Sequence, residues 1–181
     1  MKTLKMDRGD CVLVVVDIQD KFVQAINDLP KIIENTIKII QAFQIMGVPI
    51  IVTEQYPKGL GKSVSKIQKE LKKYDPIEKI TFDCYANKEF VKKISRFKNI
   101  ILAGIEAHVC ITQTALGALE QGFNVYLVKD AISSRKESDK KIAISRLKQE
   151  GAKVVSTEMV IFELLGKAGT EEFKKIQKII K

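Results

Sequence analysis

Residues 11–17, CVLVVVD, form an unbroken apolar run that ends at a carboxylate. Its apolar side chains do not alternate with polar ones, so the strand that the run predicts must be buried on both faces. Strands of this kind occur almost only in parallel sheets whose two faces are covered by helices. This short segment therefore favours an α/β fold.

The rest of the chain alternates short β-branched runs with helical patterns. The pattern predicts further strands at 49–53, 99–103, 124–130 and 153–157. Strands that alternate with helices indicate right-handed crossovers and a doubly wound, mostly parallel sheet. We find no repeat or linker, and we expect one domain over residues 1–181. Helices are predicted at 30–46, 87–97, 110–121, 138–149, 158–165 and 170–180, with an irregular connection at 54–74.

The net charge of +9 raises the question of nucleic acid binding. The lysines are scattered as pairs along helical segments, and tryptophan is absent. Scattered charge is typical of solvated helix faces, and a stacking platform would need more aromatic residues. No segment approaches the roughly 18 apolar residues of a membrane span, and the N-terminus lacks the apolar core of a signal peptide. We expect a cytoplasmic protein that binds neither nucleic acid nor membranes.

The cysteines and the histidine restrict the possible metal sites. Cys11, Cys84 and Cys110 are widely spaced, their number is odd, and no Cys-x-x-Cys pair occurs. This pattern argues against a disulfide scaffold and against a thiolate zinc site. His108 is the only histidine, so a histidine-rich metal site is not expected.

Asp17 ends the first predicted strand, where sites form in doubly wound folds. A carboxylate there is partly desolvated and needs a partner or a raised pKa, although it could also cap the following turn. A haloacid-dehalogenase-type phosphatase would need an acid at position 19, which is Gln19. A phospho-receiver would need a second carboxylate pair and an aspartate at a later strand end, which reads Thr53-Glu54-Gln55.

Cys110 follows the strand at 99–103 and the turn GIEAHV. The N–H groups and dipole at a helix N-terminus would favour its thiolate and bind an oxyanion, whereas the alternative is a buried structural thiol. A phosphatase loop of the His-Cys-x5-Arg kind is excluded, because Leu116 occupies the arginine position. His108 lies two residues before Cys110 and is expected to line a pocket or pack. The expected base is Asp17, since the two strands would be neighbours.

The chain resembles the isochorismatase-like cysteine hydrolases, and most closely the isochorismatase domain-containing branch. The resemblance implies a three-layer α/β/α fold with a Rossmann-like order of five to six strands. It also implies a homo-oligomer, a dimer or larger. The similar segments are VVVDIQDKF (14–22), VTEQYPKGLG (52–61), EKITFDCY (78–85), 103–135 and 146–165.

This resemblance implies an Asp-Lys-Cys triad. Asp17 matches its acid, Cys110 its nucleophile and Lys79 its lysine, although a lysine in so lysine-rich a chain carries little weight by itself. A cis peptide bond is implied at Ile105–Glu106. It would turn the Glu106 N–H toward the Cys110 N–H to form an oxyanion hole.

The remaining implications concern the substrate pocket. Nicotinamidases of this superfamily hold a metal with an Asp-x-His pair near the second strand, where this chain has Glu54-Gln55-Tyr56. We therefore predict no metal, and we expect no cofactor. The cysteine at position 110 argues for a small amide, carbamoyl or related acyl substrate. A non-catalytic binding or scaffold protein that kept the fold and triad is the alternative. The expected pocket residues are Phe22, Gln55, Tyr56 and His108.

Overall fold

The computed structural model describes residues 5–181, which contain one six-stranded sheet. Its order is β3-β2-β1-β4-β5-β6, and every neighbouring pair is parallel. This arrangement confirms the doubly wound, three-layer α/β/α fold. The strands are β1 (Cys11–Val16), β2 (Ile50–Gln55), β3 (Ile77–Lys79), β4 (Asn99–Ile105), β5 (Asn124–Ser133) and β6 (Lys153–Val155).

Helices cover both faces of this sheet. In the described part of the chain none of them is long and apolar enough to cross a membrane. A π-helical turn at Ala107–Ile111 leads directly into α5. The α-helices are α1 (Leu29–Met46), α2 (Pro57–Leu60), α3 (Ser65–Glu70), α4 (Lys88–Ile94), α5 (Thr112–Glu120), α6 (Glu137–Gln149), α7 (Thr157–Leu165) and α8 (Glu171–Ile180).

Alternate side chains of β1 enter two separate cores. Leu13 and Val15 pack on the side of α1, α3, α7 and α8, while Val14 and Val16 pack on the side of α4, α5 and α6. Each of these four side chains is fully buried, and burial of such a side chain stabilises the fold by about 1.5–3 kcal/mol. The unbroken apolar run in the sequence is therefore the signature of a strand between two layers.

Several boundaries differ from the prediction. The pattern did not locate β3, since it is only three residues long and lies at the sheet edge. The segment predicted as an irregular connection contains α2 and α3. β5 extends to Ser133, past a register shift opposite Leu102 and Gly104. The helix predicted to begin at Cys110 begins at Thr112, because a π-helical turn precedes it.

The chain moves outward from β1 in one direction and, after β3, outward from β4 in the other. The switch point therefore lies between β1 and β4, and ligands bind at such a point in open α/β sheets. Val16, the last residue of β1, pairs with both Thr53 and Gly104. The residues that follow β1 and β4 consequently meet at one edge of the sheet.

Gly104 permits the close approach of β4 to β1 at this switch point. Its φ is +121°, and a Cβ there would lie 2.1 Å from the Val16 carbonyl oxygen. We predict that Gly104→Ala lowers the free energy of unfolding by about 3 kcal/mol, from backbone strain plus overlap.

Gly122→Ala is the matched control for this substitution. Gly122 also has a positive φ, of +82°, but its Cβ would meet nothing within 4 Å. We expect Gly122→Ala to lower the free energy of unfolding by about 1 kcal/mol. Urea unfolding curves measure both values, and equal losses would contradict the role given to Gly104.

Candidate active site

Asp17 lies immediately after β1 with a φ of +53°, and its side chain is about 1% exposed. Thr53 Oγ1 donates a hydrogen bond of 2.7 Å to its Oδ1, and Lys79 Nζ donates one of 2.6 Å to its Oδ2. These partners come from β2 and β3. The carboxylate is therefore held by residues distant in sequence, which differs from a local turn cap.

Lys79 ends β3 and forms a buried ion pair with Asp17. Its ammonium also donates a hydrogen bond of 2.8 Å to Gln55 Oε1. Burial acts to lower the pKa of Lys79, but the negative charge of Asp17, followed by the thiolate forms of Cys84 and Cys110, raises it overall. Lys79 is consequently a cation at neutral pH.

Cys110 lies in the π-helical turn and is 6% exposed. Burial raises the pKa of its thiol, the negative charge of Asp17 raises it further, and the positive charge of Lys79 acts in the opposite direction. The stabilisation of the thiolate by N–H groups at a helix N-terminus stays a prediction, and burial is the largest influence on the pKa of Cys110. Cys110 lies in a π-helical turn that follows Glu106 and precedes α5.

The raised pKa predicts how Cys110 reacts with an alkylating reagent. Its thiolate fraction should still be increasing above pH 9, whereas a free cysteine has a pKa of about 8.5. The measurement is the rate of iodoacetamide modification at Cys110 against pH, followed by peptide mass. Cys11 and Cys84, which are both fully buried, serve as internal references. A plateau below pH 8 would contradict the raised pKa.

Glu106 connects the Cys110 turn to the end of β5. The Ile105–Glu106 peptide bond is cis. Among the turn and loop hydrogen bonds between backbone groups in residues 5–181, none is donated by the Glu106 N–H. The Glu106 carboxylate is buried and accepts hydrogen bonds of 3.0 Å from both the backbone N–H and the Nε of Arg135. The side chain of Glu106 is thus anchored while its N–H remains available.

The four predicted pocket residues have different surroundings. Gln55 contacts Lys79, whereas Phe22 packs against the core on the α1 side of the sheet. His108 Nδ1 lies 2.9 Å from Ser134 Oγ. Tyr56 is half exposed. Their contacts with a substrate stay predictions. A cavity of about 420 Å³ beside the site is lined by Pro57, Glu78, Lys79, Ile80, Thr81, Ala86 and Asn87.

Sequence reasoning missed two residues that hold the site together. It assigned no role to Thr53, which contacts Asp17, or to Gln19, which is fully buried. The available signals were the Asp-x-Gln spacing and the polar residues that end β2. Neither signal identifies a contact partner without the strand register.

The hydrogen bond from Thr53 to Asp17 predicts a stability difference between two buried threonines. Thr53→Val leaves one oxygen of a buried carboxylate without its hydroxyl donor, and we expect a loss of about 1–3 kcal/mol. Thr36→Val removes a bond of similar length to the Ile32 carbonyl inside α1, where the helix supplies the backbone donor. Its loss should be below about 1 kcal/mol. Denaturant unfolding that gave equal losses would contradict this account.

Comparison with known proteins identifies the family. Residues 11–159 match the model of the isochorismatase domain. The chain belongs to the isochorismatase family. Isochorismatase domain-containing protein 2 of Xenopus laevis is 38% identical over 179 residues, which cover 97% of this chain and 86% of that protein. This relative also confirms the branch that the sequence resemblance indicated.

Two solved structures share the fold over nearly the whole chain. The structure of MAR1 ribonuclease from Caenorhabditis elegans superimposes with a TM-score of 0.93 at 38% identity, over 97% of this chain and 92% of that one. The YcaC gene product of Escherichia coli, described as an octameric hydrolase of unknown specificity, gives 0.85 at 26% identity, over 92% and 85%. Family and fold together support a hydrolase function.

Proposed function

We propose that this isochorismatase-family protein is a metal-free cysteine hydrolase of small amide, carbamoyl or related acyl compounds. One observation carries the proposal. Asp17 and Lys79 form a buried ion pair at the switch point, and the charges of both act on the thiol of Cys110. A thiol, a carboxylate and an ammonium in one nearly closed site supply a nucleophile, a proton acceptor and a compensating charge.

The first half of the proposed reaction acylates Cys110. Asp17 accepts the thiol proton as the sulfur forms a bond to the substrate carbonyl carbon. The resulting oxyanion accepts hydrogen bonds from the backbone N–H groups of Glu106 and Cys110. The C–N bond then breaks, and the proton held by Asp17 passes to the leaving nitrogen. The product of this half is a thioester on Cys110.

The second half hydrolyses the thioester. Asp17, again ionised, accepts a proton from a water molecule whose oxygen attacks the thioester carbonyl. The tetrahedral intermediate collapses with cleavage of the C–S bond, and the proton returns to sulfur. Lys79 stays protonated throughout and balances the charge that moves between the carboxylate and the sulfur.

The raised pKa of Cys110 fits this sequence of proton transfers. A thiol that is protonated in the free protein needs a base at the moment of attack, and Asp17 is the neighbouring carboxylate. The near-complete burial of the site favours a small substrate, since a bulky acyl group would have to displace the surrounding segments. By analogy with the octameric Escherichia coli protein, we also propose a homo-oligomer.

A second candidate function is RNA hydrolysis. It is favoured by the name of the Caenorhabditis elegans structure and by the net charge of +9. The burial of Asp17, Lys79 and Cys110 argues against it, because a polynucleotide could not reach these groups without a rearrangement. A non-catalytic protein that keeps the fold is the remaining alternative.

The test is a panel of small amides, ureas and carbamates with ammonia release as the readout, plus a labelled RNA. We expect the wild type to release ammonia from at least one compound and Cys110→Ala to lose more than about a thousandfold in kcat, since the covalent route is closed. Cys11→Ala is the matched control and should retain activity, because Cys11 lies at the opposite end of β1 from Asp17.

Three results would contradict the proposal. Full activity of Cys110→Ala would exclude the thiol as nucleophile. RNA cleavage that persists in this variant would favour a different site. Absence of turnover over the whole panel would favour the non-catalytic alternative.

A further inference from the structure

Gln19, the glutamine of the Asp-x-Gln segment, is fully buried and hydrogen-bonded at both ends of its amide. Its Oε1 accepts a bond of 2.8 Å from the Gln55 N–H. Its Nε2 donates to the Gln55 carbonyl at 3.0 Å and to the Gly61 carbonyl at 2.6 Å. The side-chain amide of Gln19 therefore pairs with both the N–H and the carbonyl of Gln55, as the backbone of a neighbouring strand would.

The side-chain amide of Gln55 is also hydrogen-bonded at both ends, and it contacts Lys79 directly. Its Oε1 accepts from Lys79 Nζ at 2.8 Å, and its Nε2 donates to the Ile80 carbonyl at 2.5 Å. The amide can adopt only this orientation, because a carbonyl accepts and an ammonium only donates. The same reasoning fixes the amide of Gln19, whose nitrogen faces two carbonyls.

These contacts form one continuous path from Gln19 to the ion pair. Gln19 fixes the backbone of Gln55, Gln55 fixes the ammonium of Lys79, and Lys79 contacts Asp17. The third contact of the Lys79 ammonium, to the Thr81 carbonyl, is 3.5 Å long. Gln55 and Asp17 consequently determine the position of the Lys79 ammonium group.

We propose that Gln19 is a positioning residue, which acts through Gln55 to hold the Lys79 ammonium where it stabilises the Cys110 thiolate. The inference rests on the proposed function, in which that thiolate is the nucleophile. A small movement of the ammonium reduces its effect on sulfur, since the interaction weakens with distance. Loss of Gln19 therefore raises the pH at which Cys110 reacts, although the side chain of Gln19 hydrogen-bonds to Gln55 and Gly61 and not to Cys110.

Gln44, near the C-terminal end of α1, provides a matched control. Its side-chain amide also hydrogen-bonds to backbone groups at both ends. It donates to the Glu70 carbonyl and accepts from the Lys72 N–H, both at 2.8 Å. Replacing either glutamine with methionine keeps the approximate volume and removes the hydrogen bonds. Only Gln19 belongs to the path that reaches Lys79.

The experiment measures Cys110 alkylation by iodoacetamide against pH in the full chain, with peptide mass as the readout. We expect Gln19→Met and Gln55→Met each to slow the reaction about tenfold at pH 8, which corresponds to one pKa unit. The double variant should be no slower than either single variant, because both changes interrupt one path. Gln44→Met should retain the wild-type profile.

A wild-type profile for Gln19→Met, with a shifted one for Gln55→Met, would overturn the inference. So would an equal shift in Gln44→Met, which would indicate general destabilisation. Gln19→Asn is the second variant if Gln19→Met does not fold. It stays uncharged, but its shorter amide cannot reach both Gln55 and Gly61, and it must shift the profile in the same direction. If neither variant folds, Gln19 is a folding residue and the inference is wrong.

Lys79→Met separates this inference from the proposed function. If Lys79→Met leaves the Cys110 profile unchanged, the role of the lysine charge is wrong, and the role of Gln19 fails with it. If Lys79→Met shifts the profile and Gln19→Met does not, only the inference about Gln19 fails. The readout requires no substrate, so the result is independent of the ammonia-release panel.

Discussion

The buried ion pair between Asp17 and Lys79 is the interaction on which the site depends. Two charges that are almost fully removed from water are stable only when their remaining hydrogen-bonding groups are satisfied. Thr53 supplies the donor to the carboxylate, and Gln55 supplies the acceptor for the ammonium. Both come from β2, which lies between β1 and β3. The central position of β2 in this part of the sheet therefore allows it to supply a partner for each member of the ion pair.

Burial and this ion pair together determine the protonation state of Cys110. An unpaired carboxylate beside the sulfur would oppose the thiolate strongly, and an unpaired ammonium would stabilise it in the resting protein. With both present and the thiol buried, the pKa of Cys110 is raised. The raised pKa keeps the sulfur of Cys110 protonated at neutral pH in the free protein. In the proposed reaction Asp17 is the proton acceptor, whereas the Nδ1 of His108 lies 2.9 Å from Ser134 Oγ.

The layered fold and the positions of Asp17 and Cys110 could be predicted from sequence, because both depend on local patterns. The run at 11–17 required a strand buried on both faces, and Asp17 and Cys110 each follow a recognisable central strand. Lys79 required the family resemblance, since β3 has three residues and no periodicity. The π-helical turn could not be predicted, because one extra residue per turn leaves the apolar pattern almost unchanged. The roles of Thr53 and Gln19 depend on strand register, which no local pattern carries.

The most direct test of the central claim is to trap the covalent intermediate. The protein would be mixed with a compound that it turns over, quenched in acid within one turnover, and analysed by intact mass followed by peptide mapping. The account predicts an added mass equal to the acyl group, located on Cys110 and removed by hydroxylamine, as expected of a thioester. Product formation at a normal rate without any adduct on Cys110 would contradict it.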